Sequence, residues 1–160
     1  MIDEKWVHAP TFRFLEMYMI QEDIKALLPQ DVFLLDVKED FHQGVLKCVI
    51  DAEKPVDLDL TTTISRAIND SGILDELYPN GMALHVSSAG VDTPLKHDYQ
   101  YRKNIGRVIS ITIDMDGKPY SMEAQILEVT DDSVLIQRSS AADEWIPIAD
   151  IIHAKVLIKF

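Results

Sequence analysis

Apolar residues recur every three to five positions along Thr11–Leu28, at Phe12, Leu15, Met19, Ile24 and Leu27, which is the periodicity of an amphipathic helix rather than of a strand. Pro29 ends that helix. The period then shortens. Val32–Asp40 reads as a strand, Phe41 to Gln43 with Gly44 as its turn, and Val45–Asp51 as the hairpin partner, with Pro55 closing the pair. Leu60, Ile64, Ala67 and Ile68 line one face of a second helix, which Asp57 or Asp59 is placed to cap. The β-branched Thr61, Thr62 and Thr63 lower its propensity slightly, and burial of the stripe overrides them. Gly72 and the Tyr78-Pro-Asn-Gly81 turn lead into a third strand, Met82–Ser87, with Leu84 and Val86 on one face and His85 and Ser87 on the other. The order helix, strand, strand, helix, strand predicts an α+β layer in which two helices cover one face of a small three-stranded sheet.

After Gly90 the texture changes. A short polar stretch, Asp92 to Asn104, precedes five brief strand-like runs: Arg107–Asp114, Ser121–Val129, Val134–Gln137, Glu144–Pro147 and Ala154–Ile158. Asp116-Gly117 and Asp131-Asp132 are turn signals between them. Runs so short and closely spaced predict a small closed or half-open barrel, because curling removes exposed sheet edges. The expected organisation is therefore an N-terminal α+β domain over residues 1–90 (αββαβ) and a C-terminal barrel over residues 91–160. No internal repeat, low-complexity tract or heptad pattern interrupts it.

With 160 residues, 47% of them apolar and 26% charged, the chain is long enough to build a core without disulfides or metal staples. Its single cysteine, Cys48, forms no internal bridge and fits a reducing compartment or simple indifference to oxidation. Met1 to Pro10 does not resemble a secretory signal, and no apolar run reaches the roughly 20 residues of a bilayer span, so the expected location is the cytoplasm, with no membrane partner. The net charge of −12 argues against loose binding to nucleic acid or to anionic lipid. That charge is uneven: 7 basic and 16 acidic residues up to Gly90 leave −9, while 8 and 11 after it leave −3. Lys96, Arg102, Lys103 and Arg107 cluster in the second part with Asp98 as their one acidic neighbour in sequence, either a solvated patch or a contact surface for phosphate or an acidic partner.

Catalytic constellations are missing. His8, His42, His85, His97 and His153 are dispersed without zinc-binding spacing, and the six glycines build neither a dinucleotide turn nor a phosphate loop. Asp114 and Asp116 lack the further acids of a calcium loop, and Ser87-Ser88 lacks the preceding glycine of a nucleophile elbow. Glu39-Asp40 and Asp131-Asp132 sit at turns, where acids are ordinarily solvated. The expectation is a non-enzymatic protein with no cofactor, no metal and no small-molecule substrate. The segment that stands out is Leu84-His-Val-Ser-Ser-Ala-Gly-Val-Asp-Thr-Pro-Leu95, which joins the two expected domains. Gly90 can adopt positive φ, Asp92 can bond its own backbone two residues on, and Pro94 pushes Thr93 to an extended conformation, so together they predict a stiff elbow that sets the domain angle or forms part of a docking surface.

Ser87-Ser-Ala-Gly-Val-Asp-Thr-Pro-Leu95 resembles the Ser-Ser-Pro-Gly-Leu-Asp-Arg-Pro-Leu signature of the bacterial ribosome maturation factor RimP family. Ser65-Arg-Ala-Ile68 is similar to that family's second helix, Tyr101-Arg-Lys-Asn-Ile-Gly-Arg107 to its aromatic turn before a barrel strand, and Ala154-Lys-Val-Leu-Ile-Lys-Phe160 to its closing strand. The element order matches from about Asp31 to Phe160. The chain departs from the signature at Ala89, Val91 and Thr93; the last replaces an arginine, for which Lys96 or Arg102 are the nearest substitutes. The resemblance implies an SH3-like C-terminal barrel and transient, non-enzymatic binding to the free small (30S) ribosomal subunit late in its assembly. The charge balance favours contacts with a basic ribosomal protein over a minority of contacts with ribosomal RNA, and the chain is expected to be a monomer. The residues expected to make that contact are Ser87, Ser88, Gly90, Asp92, Pro94, Leu95, Lys96, Arg102, Lys103 and Arg107. A different class stays open: an SH3-like or Sm-like module that binds peptide or RNA in another complex. Trp6, Phe12 and Phe14 fit core, partner surface or frayed end alike.

Overall fold

In a computed structural model, residues 10–158 are described; Trp6, the side chain of Phe12 and the closing Lys159-Phe160 lie outside the described residues and side chains. The chain divides into two compact units, Met1–Ala89 and Gly90–Phe160. Among the described residues each unit combines helix with one sheet, four α-helices and two sheets in all.

The first unit contains α1 (Pro10–Leu27), β1 (Val32–Asp40), β2 (Val45–Ala52), α2 (Leu58–Asp70), α3 (Ile73–Leu77) and β3 (Ala83–Ser88). β1 and β2 form the predicted antiparallel hairpin. β3 lies parallel to β2, with Val45 opposite Ala83, so the connection must cross over through the α2–α3 segment, as parallel pairing requires. Asp57 caps α2 by accepting from the Leu60 N–H at 2.8 Å, and Ile64 and Ile68 on the expected face are buried. Alternation along β2 points Leu46, Cys48 and Ile50 into one core, where they meet Ile20 and Ile24 of α1, Ile64 and Ile68 of α2 and Leu74 of α3. α3, between Gly72 and the Tyr78–Gly81 turn where the sequence predicts no element, is a single short helix turn whose Leu74 fills this core.

One expectation about α1 fails. Its buried residues are Ile20 and Ile24, while Leu15 and Met19 are exposed. At about 100° per residue, Leu15 and Met19 lie well round the helix from Ile20 and Ile24, and a helix apolar on both sides offers periodicity no way to tell which side faces the sheet.

The second unit contains α4 (Asp98–Lys103), β4 (Val108–Met115), β5 (Lys118–Val129), β6 (Ser133–Gln137), β7 (Glu144–Pro147) and β8 (Ile151–Val156). All pairs are antiparallel, in the order β7-β6-β5-β4-β8. The turn between β4 and β5 places Asp116 at φ 54° and Gly117 at φ 78°, the two left-handed positions of a tight hairpin, and Asp114 accepts from the Gly117 N–H at 2.8 Å. That turn chemistry accounts for the acid pair. β5 runs for 12 residues with a register shift between Ile126 and Glu128, which lets one strand serve β4 along one part and β6 along another. Ile109, Ile111, Ile126, Val134, Ile136 and Ala154 form the second core. Of the closed and half-open forms expected, the closed one does not form: among the described residues no pairing joins β7 to β8. The last strand also begins earlier than its apolar run, because a 3-10 turn at Ile148–Asp150 delivers Ile151 directly onto β4.

Candidate partner-binding linker

The residues singled out in sequence sit on a continuous path from β3 to β4. Ser87 and Ser88 end β3, and Ala89 extends its pairing by one bond, donating from N–H to the Ile50 carbonyl at 3.0 Å. A tight turn follows, with the Thr93 N–H donating to the Gly90 carbonyl at 3.0 Å. Gly90 does not hold positive φ, and a Cβ built there meets no atom within 4 Å, so the turn does not depend on glycine. Asp92 does not bond its own backbone as expected; its exposed carboxylate pairs with Lys155 of β8 at 2.5 Å. Two positions on stands Pro94, which has no N–H to donate, so the Asp92 carboxylate turns to the Lys155 cation instead.

Leu95 then docks the path onto the second unit. Its N–H donates to the Ala154 carbonyl at 2.9 Å, and its side chain is buried in the second core, so it supports the linker from beneath. Gln100 holds the bend into α4: its Oε1 accepts from the Lys96 N–H at 2.7 Å and the His97 N–H at 2.9 Å, satisfying donors that would otherwise be orphaned at the helix start. Tyr101, fully buried, donates from its hydroxyl to the Leu95 carbonyl at 3.1 Å, and burial pushes its phenol up to about 12. Asn104 donates to the Gln100 carbonyl at 2.7 Å. Sequence reading missed this scaffold of Gln100, Tyr101 and Asn104; two tyrosines in a polar six-residue helix were the available signal.

The basic cluster is less basic than its sequence. Arg102 forms an ion pair with Asp98 at 2.8 Å, one helical turn away, and reaches Asp131 of the β5–β6 turn at 3.5 Å. Lys96, Lys103 and Arg107 have exposed side chains at the start of the helix, its end and the start of β4. Ser87 and Ser88 belong to the first unit, and the remaining residues from Gly90 to Arg107 to the second.

Elsewhere, a groove of about 540 Å³ runs between β5 and the 138–142 loop, lined by Glu123, Gln125, Arg138 and Ser139 among others. Arg138 is held there by Glu144 at 2.8 Å. Cys48 is enclosed by the first core, which pushes its thiol up to about 11, far from the range of a reactive thiolate. Among the described residues no group of three or more His, Cys, Asp or Glu side chains is placed to hold a metal ion, and no helix is long and apolar enough to cross a membrane.

Fold and linker together define a mixed α+β protein of two sheets joined through a polar, partly basic segment scaffolded from below. No family model matches the chain. It is 33% identical over 126 residues to the ribosome maturation factor RimP of Flavobacterium psychrophilum, an alignment that covers 75% of this chain and 77% of that protein. The chain belongs to the RimP family.

Proposed function

We propose that this chain is a cytoplasmic ribosome maturation factor that binds the free small (30S) subunit during late assembly and catalyses no reaction. The observation that carries this reading is the 33% identity to a protein named ribosome maturation factor RimP. In this reading the chain works as a monomer of two domains, 1–90 and 91–160. The second is an SH3-like half-open barrel, a reading supported by five consecutive antiparallel strands and the register shift within β5. The linker from Ser87 to Pro94 and the exposed Lys96, Lys103 and Arg107 form the contact surface. An acidic protein meets a ribosome in two ways: acidic faces attract basic ribosomal proteins, and a local basic patch contacts RNA phosphate.

Co-sedimentation of the full chain with free small subunits, and separately with intact ribosomes, tests the proposal. Saturable binding to the free subunit alone is expected. The triple variant Lys96→Glu, Lys103→Glu, Arg107→Glu weakens that binding by about tenfold or more while the chain stays folded, about 1.4 kcal/mol. Arg102→Glu has a smaller effect, since Asp98 and Asp131 already offset that charge. Binding to neither particle would replace this reading with that of a peptide- or RNA-binding module in another complex, and undiminished binding by the triple variant would discard the surface.

A further inference from the structure

α1 carries apolar side chains on two faces. Ile20 and Ile24 are buried against the sheet, while Phe14 is 73% exposed, Leu15 54%, Tyr18 55% and Met19 63%. At about 100° per residue these four fall in one sector pointing away from the buried pair. They form two adjacent i,i+4 rows, Phe14–Tyr18 and Leu15–Met19, with a furrow between them, the relief into which a ridge of another helix packs. Scattered surface hydrophobics need no explanation, but four contiguous large ones on one helix face point to an interaction site.

The charge around the stripe selects the occupant. The two bases on the described part of α1 are already engaged, Arg13 with Glu39 at 3.1 Å and Lys25 with Glu22 at 2.8 Å. Glu16 and Asp23, on the margin beside Met19, are left as the net charge of the helix surface. They sit in the half of the chain that carries −9. A second copy would bring the same acids against themselves, and the chain as a whole carries −12. We propose that the exposed face of α1 is a docking site for an amphipathic, basic helix of another protein, whose apolar ridge lies along the furrow between the Phe14–Tyr18 and Leu15–Met19 rows and whose lysines or arginines meet Glu16 and Asp23. The inference is independent of the linker surface and of the ribosomal reading.

The test titrates the full chain into a fluorescently labelled amphipathic helical peptide of leucine and lysine, with its leucine and glutamate counterpart as control. Saturable micromolar binding of the basic peptide and none of the acidic one is expected. Leu15→Ser with Tyr18→Ser weakens binding by about tenfold or more, the scale of losing buried anchors, while the chain keeps its fold because neither side chain belongs to the core. Glu16→Lys with Asp23→Lys weakens the basic peptide and admits the acidic one. Absence of saturable binding, or equal binding by the serine variant, overturns the proposal. So does sedimentation of the unaltered chain as a dimer that the serine variant converts to monomer, which would make the face a self-interface.

Discussion

Between β2 and β3 the first unit passes through two helices before its sheet gains a third strand, so Val45 pairs with Ala83 across a long stretch of chain. In the second unit β4, β5, β6 and β7 pair in order, and only β8 returns from a distance to lie against β4. The first unit is thus built by packing helices on a sheet, the second by one hairpin after another. Charge follows the same division, −9 before the linker and −3 after it. The comparison teaches where pattern carries information. Strands with one buried face display their packing in period two, whereas a helix displays its packing only if its opposite face is polar.

The largest effect that bears on this division comes from a cavity in either core. Ile50 and Ile126 are both fully buried, one in each cluster, and Ile→Ala at such a site costs about 2–5 kcal/mol. Ile126→Ala is expected to strip hydrogen-exchange protection from β4, β5 and β6 while leaving β1 and β2 nearly as protected as before, and Ile50→Ala to do the reverse. Equal loss in both sheets from either variant would show that the units unfold as one, and the two-core description would fail as an energetic statement.

How much was legible follows the same line. β1 and β7 match their predicted limits, and β2, β4 and β6 begin within one residue of theirs, because alternating Ile, Val and Leu against polar residues with a turn signal at each end leaves few alternatives. The capping of α2 by Asp57 was readable for the same local reason. The exposed side of α1 was not, since Leu15–Met19 and Ile20–Ile24 are equally good i,i+4 pairs, and only the sheet decides between them. At the linker, the residue types were legible and their partners were not: Lys155 and Asp131 come from sequence positions far from Asp92 and Arg102, and no local pattern announces them. Leu95 stands among the residues expected at the contact surface, yet its side chain fills the second core.

Alkaline titration separates the units more gently. Burial raises the Cys48 thiol from 9.0 to about 11 in the first core, and the Tyr101 phenol from 10.0 to about 12 in the second unit. Both groups are neutral when protonated, so a raised folded pKa means the native state holds the proton more tightly than the unfolded chain does. The corresponding stability is fully present below the unfolded pKa and lost as pH climbs to the folded one. Cys48 therefore weakens the first unit from about pH 9, with Tyr78, raised by burial and its bond to Glu39, adding to the loss above about pH 10, whereas the second weakens only from about pH 10 to 12. The excess negative charge of the first half reinforces that order. Methyl resonances of Ile50 and Ile126 followed with rising pH report each core; native Ile50 signal is expected to fade first, and simultaneous fading would remove the contrast.

The smallest effect concerns the join itself. A glycine that turns through positive φ resists replacement, because a Cβ in the left-handed region costs roughly 1–2 kcal/mol. Gly117, at φ 78° in the β4–β5 turn, is such a position, and Gly117→Ala is expected to destabilise the second unit by about that amount. Gly90 is not: its φ is not positive and a Cβ there meets no atom within 4 Å. Gly90→Ala removes backbone freedom from the unfolded chain without straining the folded one, which stabilises by about 0.4–1 kcal/mol. Opposite signs in the two unfolding midpoints are therefore expected from the same chemical change. If Gly90→Ala instead destabilises, or alters the solution scattering profile, the elbow does rest on its glycine, and the order in this segment comes from local backbone conformation more than from the Thr93–Gly90 bond, the Asp92–Lys155 pair and the anchoring of Leu95 on Ala154.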